Sequence, residues 1–421
     1  MGEEPERGRT SGARRRLDVV STPFFPAYVV WELTLRCDHG CTHCGSRAGV
    51  ARPNELTTAR ALEVVAELAQ MKTREVVLIG GEAYLHPGFL EIAAALREVG
   101  ITPVVTTGGR GINAQLAKGM AEAGIERVSV SIDGLATNHD RMRALAGSFA
   151  AATAALRLCR DAGMAISANT NFNRLNRDDL EGLFEHLRAE GVGAWQIQLT
   201  TPLGRAADRT DMLLQPWDLL DLVPRVAAIK RRAAAASMSV MVGNNLGYFG
   251  PEEGTLRSPR PDGDDHWQGC QAGRFVMGIE SDGAVKGCPS LQTSHYVGGH
   301  LGQRPLADIW NDTSELAFTR ARTVDDLWGF CRECPFAATC LGGCSFTAHA
   351  ILGRPGNNPY CHFRARHFEK QGLRERLVPA EAAPGEPFDY GVFDIVVEPA
   401  DAPEPAPKGP GLVSITRRPG R

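Results

Sequence analysis

Ten of this chain's eleven cysteines fall into two clusters, and that clustering constrains the fold more than any other feature. Cys37, Cys41 and Cys44 form a tight C-x3-C-x2-C triplet. Cys270, Cys288, Cys331, Cys334, Cys340, Cys344 and Cys361 form the second set. No run reaches the 18 or so apolar residues of a membrane helix. Arg14, Arg15 and Arg16 precede a stretch too short and polar for a signal h-region. The expectation is a cytoplasmic protein with a disordered arm over 1–26. In that compartment clustered thiols point to metal or catalysis rather than disulfides. Cys159 stands apart in an apolar helical stretch, where a buried structural thiol is expected.

The 421 residues suffice for two to three domains, and 43% hydrophobic content predicts a packed core. Lys and Arg number 46 against 49 Asp and Glu, a net charge of −3. That balance argues against a nucleic-acid or anionic-membrane partner. From Ala27 onward β-type runs alternate with helical stretches. The predicted strands are Tyr28–Leu35, Glu75–Ile79, Pro103–Thr106, Arg127–Ser131, Ala165–Asn171 and Ala194–Leu199. Six βα units imply an α/β fold with a parallel sheet, a partial TIM-like barrel over 27–240. Its chemistry belongs at the C-terminal ends of the strands. A connector is expected over 241–266 and a Cys-rich domain of short elements over 267–367. A Pro/Ala/Glu-rich extension, largely flexible, follows over 368–421. Only the run 388–397 in it reads as a strand or a partner contact.

Three thiolates on one loop suit a four-iron cluster with one iron left open. A zinc site is the alternative, with His39 or His43 as fourth ligand. Placed after the first strand of a βα series, the triplet resembles the signature of the radical S-adenosylmethionine (SAM) superfamily. Gly80-Gly81-Glu82 ends strand two like that family's Gly-Gly-Glu motif. Ser131-Ile132-Asp133-Gly134 ends strand four like its Ser-x-Asp-Gly turn, and 202–206 is similar to its Pro-x-Gly-Arg-Ala run. The resemblance implies that Gly80, Gly81 and Glu82 hold the methionine amino group of SAM. It implies that Ser131 and Thr107 contact SAM polar groups, and that Leu199 and His43 lie against the adenine. Strand three reads Thr106-Thr107-Gly108-Gly109 where Thr-Asn-Gly is usual, and Ala83 stands where Pro is common. The implied chemistry is reductive cleavage of SAM to a 5′-deoxyadenosyl radical that takes hydrogen from a substrate.

The second cysteine set resembles the seven-cysteine SPASM extension of peptide-modifying radical SAM enzymes, with Leu306-x2-Ile309-Trp310 as its short helix. By that resemblance Cys331, Cys334, Cys340 and Cys361 hold one auxiliary cluster. Cys270, Cys288 and Cys344 hold the other, giving three 4Fe-4S clusters in all. Seven thiolates fall one short of the eight that two closed cubes need. A pair of zinc ribbons is the alternative.

The resemblance implies a peptide or protein substrate, an external electron donor, and maturation of a ribosomally made peptide. A sulfatase-maturase-like protein oxidase is a second reading. That group carries a basic Asp after the cysteine of the Gly-x4-Cys element, where this chain has Pro289. A non-catalytic electron-transfer protein is a third, which Gly80-Gly81-Glu82 argues against. A separate leader-binding protein, or the segment around Tyr390, is expected to engage the peptide. Tyr84, His86, Asp133, Asn171 and Arg205 are candidate proton-handling residues, each equally a turn or packing residue. Asn244, Asn245, Tyr248 and Phe249 are expected at the substrate opening or in an exposed connector.

Overall fold

Seven strands carry the barrel half of the chain: β1 (Tyr28–Glu32), β2 (Glu75–Ile79), β3 (Thr102–Thr107), β4 (Arg127–Ser131), β5 (Ala165–Phe172), β6 (Ala194–Leu199) and β7 (Ser239–Val242). They run parallel and in chain order, so every strand presents its C-terminal end to the same edge. The computed structural model describes residues 22–404, so the expected arm through residue 21 lies outside the described residues. Phe24 and Phe25 pack edge-on against Phe275.

The helices are α1 (Thr58–Gln70), α2 (Phe89–Glu98), α3 (Ala114–Glu122), α4 (Ala136–Arg143), α5 (Ser148–Asp161), α6 (Leu180–Ala189) and α7 (Leu219–Ala235). In α1, Ala61, Val64, Val65 and Leu68 repeat at helical spacing and are buried as one stripe. Thr57 caps it by accepting from the Arg60 amide. Asn113 does the same for α3. Such stripes pack on the outer face of strands whose Val, Ile and Leu residues are nearly all buried. The result is the α/β architecture of a partial barrel.

The sheet does not stop at six strands. The Cys-rich half contributes β8 (Val276–Ile279), β9 (Ala284–Lys286) and β10 (Val297–His300). β8 pairs in parallel with β1, and the full order is β10-β9-β8-β1-β2-β3-β4-β5-β6-β7. An open β1 edge would expose unpaired N–H and C=O groups, and β8 covers it. The stretch 241–266 is no exposed connector either. Leu246 and Tyr248 are buried, and a short helix spans Glu253–Arg257.

Residues after 368, expected to be largely flexible, form a hairpin of β11 (Leu373–Glu381) and β12 (Val392–Pro399). Leu377 and Phe393 are buried in the main core. The Gln215 side chain accepts from the Leu377 amide at 2.7 Å. Arg364 donates to both oxygens of Glu375, at 2.6 and 2.7 Å, with both side chains 3% exposed. Removing one partner of a buried bidentate pair strands the other charge. Glu375→Ala is therefore expected to cost about 3–5 kcal/mol, read as a lowered melting temperature of the holoprotein.

Candidate active site at the strand ends

The loop leaving β1 is held on three sides. The Cys37 amide donates to Gly49 O, and the Gly49 amide to Leu35 O. Arg205 donates to the carbonyls of Cys41 (2.7 Å) and Ala48 (3.1 Å). From β2, the amides of Gly81 and Glu82 donate to Thr34 O and Arg36 O, both at 2.8 Å. There is no room for a side chain at this crossing. A Cβ on Gly81 would lie 1.9 Å from Arg36 O, and one on Gly80 2.5 Å from Thr34 O.

Each sulfur of the triplet has a hydrogen-bond neighbour. The His39 amide donates to Cys37 Sγ (3.4 Å), Arg143 Nη1 to Cys41 Sγ (3.6 Å), and Ser46 Oγ lies 3.5 Å from Cys44 Sγ. Burial pushes the Cys37 thiol up to about 12 and raises that of Cys41. Bare, these groups hold their protons; a bound metal would make them thiolates, with donors already in place. This donor set fits an iron–sulfur cluster. Among the described residues, one group of three or more His, Cys, Asp or Glu side chains brings all its donor atoms within 4.8 Å of one another: Cys37, Asp38, His39 and Glu82. The sulfurs of Cys41 and Cys44 stand outside that group, whereas tetrahedral zinc needs ligands within about 4 Å of each other. His39 Nδ1 bonds to Asp38 (2.8 Å) and His43 Nε2 to Asp133 (3.0 Å), so both histidines have other partners.

Glu82 is 3% exposed, and burial pushes its carboxyl up to about 7. Thr107 Oγ1 donates to Oε2 at 2.6 Å and the Gly108 amide to Oε1 at 2.7 Å. The departure from Thr-Asn-Gly thus places a hydroxyl on the carboxylate. A cavity of about 380 Å³ opens above these groups. All ten residues expected around SAM line it: Cys37, Cys41, His43, Cys44, Gly80, Gly81, Glu82, Thr107, Ser131 and Leu199.

Of the proton-handling candidates, Asn171 and Arg205 line the cavity. Tyr84 instead donates to Asp38 (2.9 Å), and His86 Nδ1 accepts from the Gly88 amide as a turn residue. Asp133 is wholly buried, with Arg143 at 2.6 Å and His43 Nε2 at 3.0 Å; burial works against its charge, and the Arg143 guanidinium beside it holds the carboxyl well below the usual carboxylate range. Asn245 lines the cavity and pairs with both backbone groups of Leu199. Tyr248 and Phe249 do not reach the opening. The Tyr248 hydroxyl accepts from the Cys344 amide, and Phe249 stacks on Phe336. Arg143 and Arg47 went unread in the sequence, and Phe388 was read only as the start of a strand or partner-contact run. Arg143 ends α4, the helix that follows the Asp133 turn. The others make contacts distant in sequence, which spacing cannot reveal.

The second cysteine set forms two groups in space, and Cys344 stands apart from its chain neighbours Cys340 and Cys361. Cys331, Cys334, Cys340 and Cys361 line one small apolar cavity walled by Phe249, Phe330, Phe336 and Phe363. Cys270, Cys288 and Cys344 gather elsewhere, and Cys270 adds to the upward shift of both others. Burial is the larger cause, taking Cys288 to about 12 and Cys344 to about 11.

Residues 31–187 match the radical SAM superfamily, and residues 270–335 an iron–sulfur cluster-binding domain, SPASM. The mycofactocin maturase MftC of Mycobacterium ulcerans is 30% identical over 352 residues, covering 80% of this chain and 88% of that protein. The chain belongs to the radical SAM superfamily. This radical SAM protein is an enzyme that uses S-adenosylmethionine and iron–sulfur clusters. It is also 28% identical to the AdoMet-dependent heme synthase of Methanosarcina barkeri over 349 residues, 80% of this chain and 97% of that one. Streptococcus suis SuiB bound to its precursor peptide SuiA shares the fold at a TM-score of 0.63 and 15% identity, covering 80% of this chain and 75% of SuiB. Among the described residues no helix is long and apolar enough to cross a membrane.

Two buried histidines near these sites predict that the radical SAM enzyme loses stability in acid. His139 Nδ1 accepts from the Asp133 amide at 3.0 Å, and burial, aided by Arg143, lowers its pKa to about 3. His349 bonds to the Tyr296 hydroxyl at 2.8 Å and is lowered to about 4 by burial, with His295 adding to the shift. Both titrate near 6.5 when unfolded. Their stabilisation is complete above that pH and is lost as pH falls from 6.5 towards 4, because the unfolded chain then binds more protons. Stability should fall by on the order of 2 kcal/mol per pH unit around pH 5. Melting curves should show the fall, and His349→Gln should flatten it.

Proposed function

We propose that this enzyme, acting in the cytoplasm, takes a hydrogen atom from a peptide during maturation of a ribosomally made precursor. The observation that carries this reading is the cavity lining. Its two arginines are both committed, Arg143 to Asp133 and Cys41, Arg205 to backbone carbonyls. The remaining wall offers amides and hydroxyls, including Asn171, Gln198, Thr200 and Ser290, beside Phe346 and Phe388. Such a wall suits the neutral amides of a peptide better than a carboxylate-rich ligand. The peptide-bound structure of SuiB and the likeness to a maturase support it.

Cys37, Cys41 and Cys44 would hold the N-terminal cluster, which when bound supplies the electron that splits SAM into methionine and a 5′-deoxyadenosyl radical. Glu82 and the backbone of Gly80 and Gly81 would orient the amino end of SAM. Ser131, Thr107, Leu199 and His43 would fix the rest. Cys270, Cys288 and Cys344 would hold one auxiliary 4Fe-4S cluster, and Cys331, Cys334, Cys340 and Cys361 the other. An external donor would supply electrons, and a separate leader-binding protein, or the segment around Tyr390, would engage the peptide. Pro289, beside Cys288, lines the cavity and accepts no proton, which weighs against the sulfatase-maturase reading.

A second reading, modification of a tetrapyrrole, is favoured by the 97% coverage of the heme synthase. Reconstituted enzyme with reductant and SAM should be offered, separately, a short peptide encoded beside the gene and iron coproporphyrin III. The expected result is a mass change in the peptide matched by 5′-deoxyadenosine. Turnover of the porphyrin with the peptide untouched would reverse the assignment.

A further inference from the structure

The hairpin's inner turn reaches the strand-end cavity. Asp389 receives Arg47 Nε at 2.9 Å and Nη2 at 3.2 Å, and Arg47 is held from its other side by Asp208 at 2.6 and 2.9 Å. Arg47 lies three residues beyond Cys44. The amides of Gly385 and Glu386 donate to Asp389 Oδ2, and the Gly204 amide to Asp389 O. The Phe388 amide donates to Gly45 O at 3.1 Å. Tyr390 bridges Leu203, whose side chain packs against Gly45.

Phe388 is itself a wall of the cavity that holds the triplet. Lys286 Nζ sits 3.9 Å from its ring centre, two residues before Cys288. One side chain thus spans both cysteine-bearing halves. Arg47 and Phe388 also share the sparsely populated left-handed backbone region, with φ of 50° and 57°. Non-glycine residues persist there only where their surroundings hold them. The Arg47–Asp389 pair and the Phe388–Gly45 bond are those surroundings.

We propose that residues 384–391 are part of the active site: Asp389 positions the loop carrying Cys41 and Cys44, and Phe388 keeps water from it and helps retain SAM. This rests on the reading that the triplet holds the N-terminal cluster.

The test uses reconstituted full-length holoenzyme. SAM affinity is read from the SAM-dependent change in the EPR signal of the reduced N-terminal cluster, and shielding from the rate at which air bleaches that cluster. Asp389→Asn and Phe388→Ala should each weaken SAM binding by about tenfold, a change of about 1.4 kcal/mol. Both should speed bleaching of the N-terminal cluster several-fold with total iron near wild type, and a lowered melting temperature should leave the bleaching of the other clusters unchanged. Arg47→Ala combined with Asp389→Asn should be little worse than either alone, since the two share one contact. Val397→Thr, on the hairpin's exposed outer face, should change nothing.

Unchanged SAM affinity and bleaching in both single variants would overturn the proposal. So would losses spread equally over all clusters with a lowered melting temperature, which would make the hairpin merely structural. If Asp389→Asn fails to fold, Phe388→Leu decides by the same two measurements, because it keeps the backbone bonds of the turn. Wild-type protein lacking any SAM-dependent signal would overturn the ligand assignment, and this proposal with it. A normal wild-type signal with unaffected variants would overturn this proposal alone.

Discussion

Gly81→Ala is expected to abolish 5′-deoxyadenosine formation while leaving every cysteine in place. The added methyl would stand 1.9 Å from Arg36 O and 2.8 Å from Cys37 Cβ. Neither is the far end of a flexible side chain, so the clash cannot be relieved by a rotamer change. The β2 turn must separate from the β1 loop, breaking the bonds from Gly81 and Glu82 to Thr34 and Arg36. Overpacking alone costs about 1–3 kcal/mol, and backbone separation adds to it. The carboxyl of Glu82 then leaves its place over the cavity. SAM cleavage should drop by at least about a hundredfold, equivalent to about 2.7 kcal/mol in the barrier. Single-turnover assays of 5′-deoxyadenosine measure this. Near-normal cleavage by Gly81→Ala would mean that this crossing is not where SAM is held.

The second large effect separates the clusters. Cys41→Ala should remove about four of about twelve irons and all SAM cleavage. Cys361→Ala should remove a similar amount of iron, yet leave 5′-deoxyadenosine formation in the absence of substrate. The reasoning is spatial. Cys41 lines the cavity with Gly81 and Glu82, whereas Cys361 lines the Phe-walled cavity with Cys331, Cys334 and Cys340. Damage to one set need not reach the other. Iron analysis, Mössbauer spectroscopy and product assays on the two variants should give opposite patterns for cleavage. Equal loss of cleavage in both would mean that the second set is needed for the first electron transfer.

Much of the fold was readable because β1 to β6 are apolar runs and their helices bury single stripes, signals that a period of 2 or 3.6 exposes directly. Glu75–Ile79, Arg127–Ser131 and Ala194–Leu199 match the expected strands end to end. β7, β8 and β9 were not foreseen. They are three or four residues long, and such pieces carry too few alternations to register. They become strands because neighbouring edges need partners. The hairpin was obscured for another reason. Pro, Ala and Glu in 379–387 dilute the composition, while order comes from Leu377, Phe393 and the Arg364–Glu375 pair. The cavity residues were readable wherever a motif fixed their spacing, as at Gly80-Gly81-Glu82. Arg143 bears on Cys41 from 102 residues away, and only folding shows that.

The pair joining Arg47 to Asp389 spans 342 positions of the chain. A ribosome therefore delivers the cysteine triplet long before it delivers the turn that covers it. Closing so wide a loop is entropically costly and comes late among the contacts formed. Until that turn is made, the loop carrying Cys37, Cys41 and Cys44 has neither the Arg47–Asp389 pair nor the Phe388–Gly45 bond to close it.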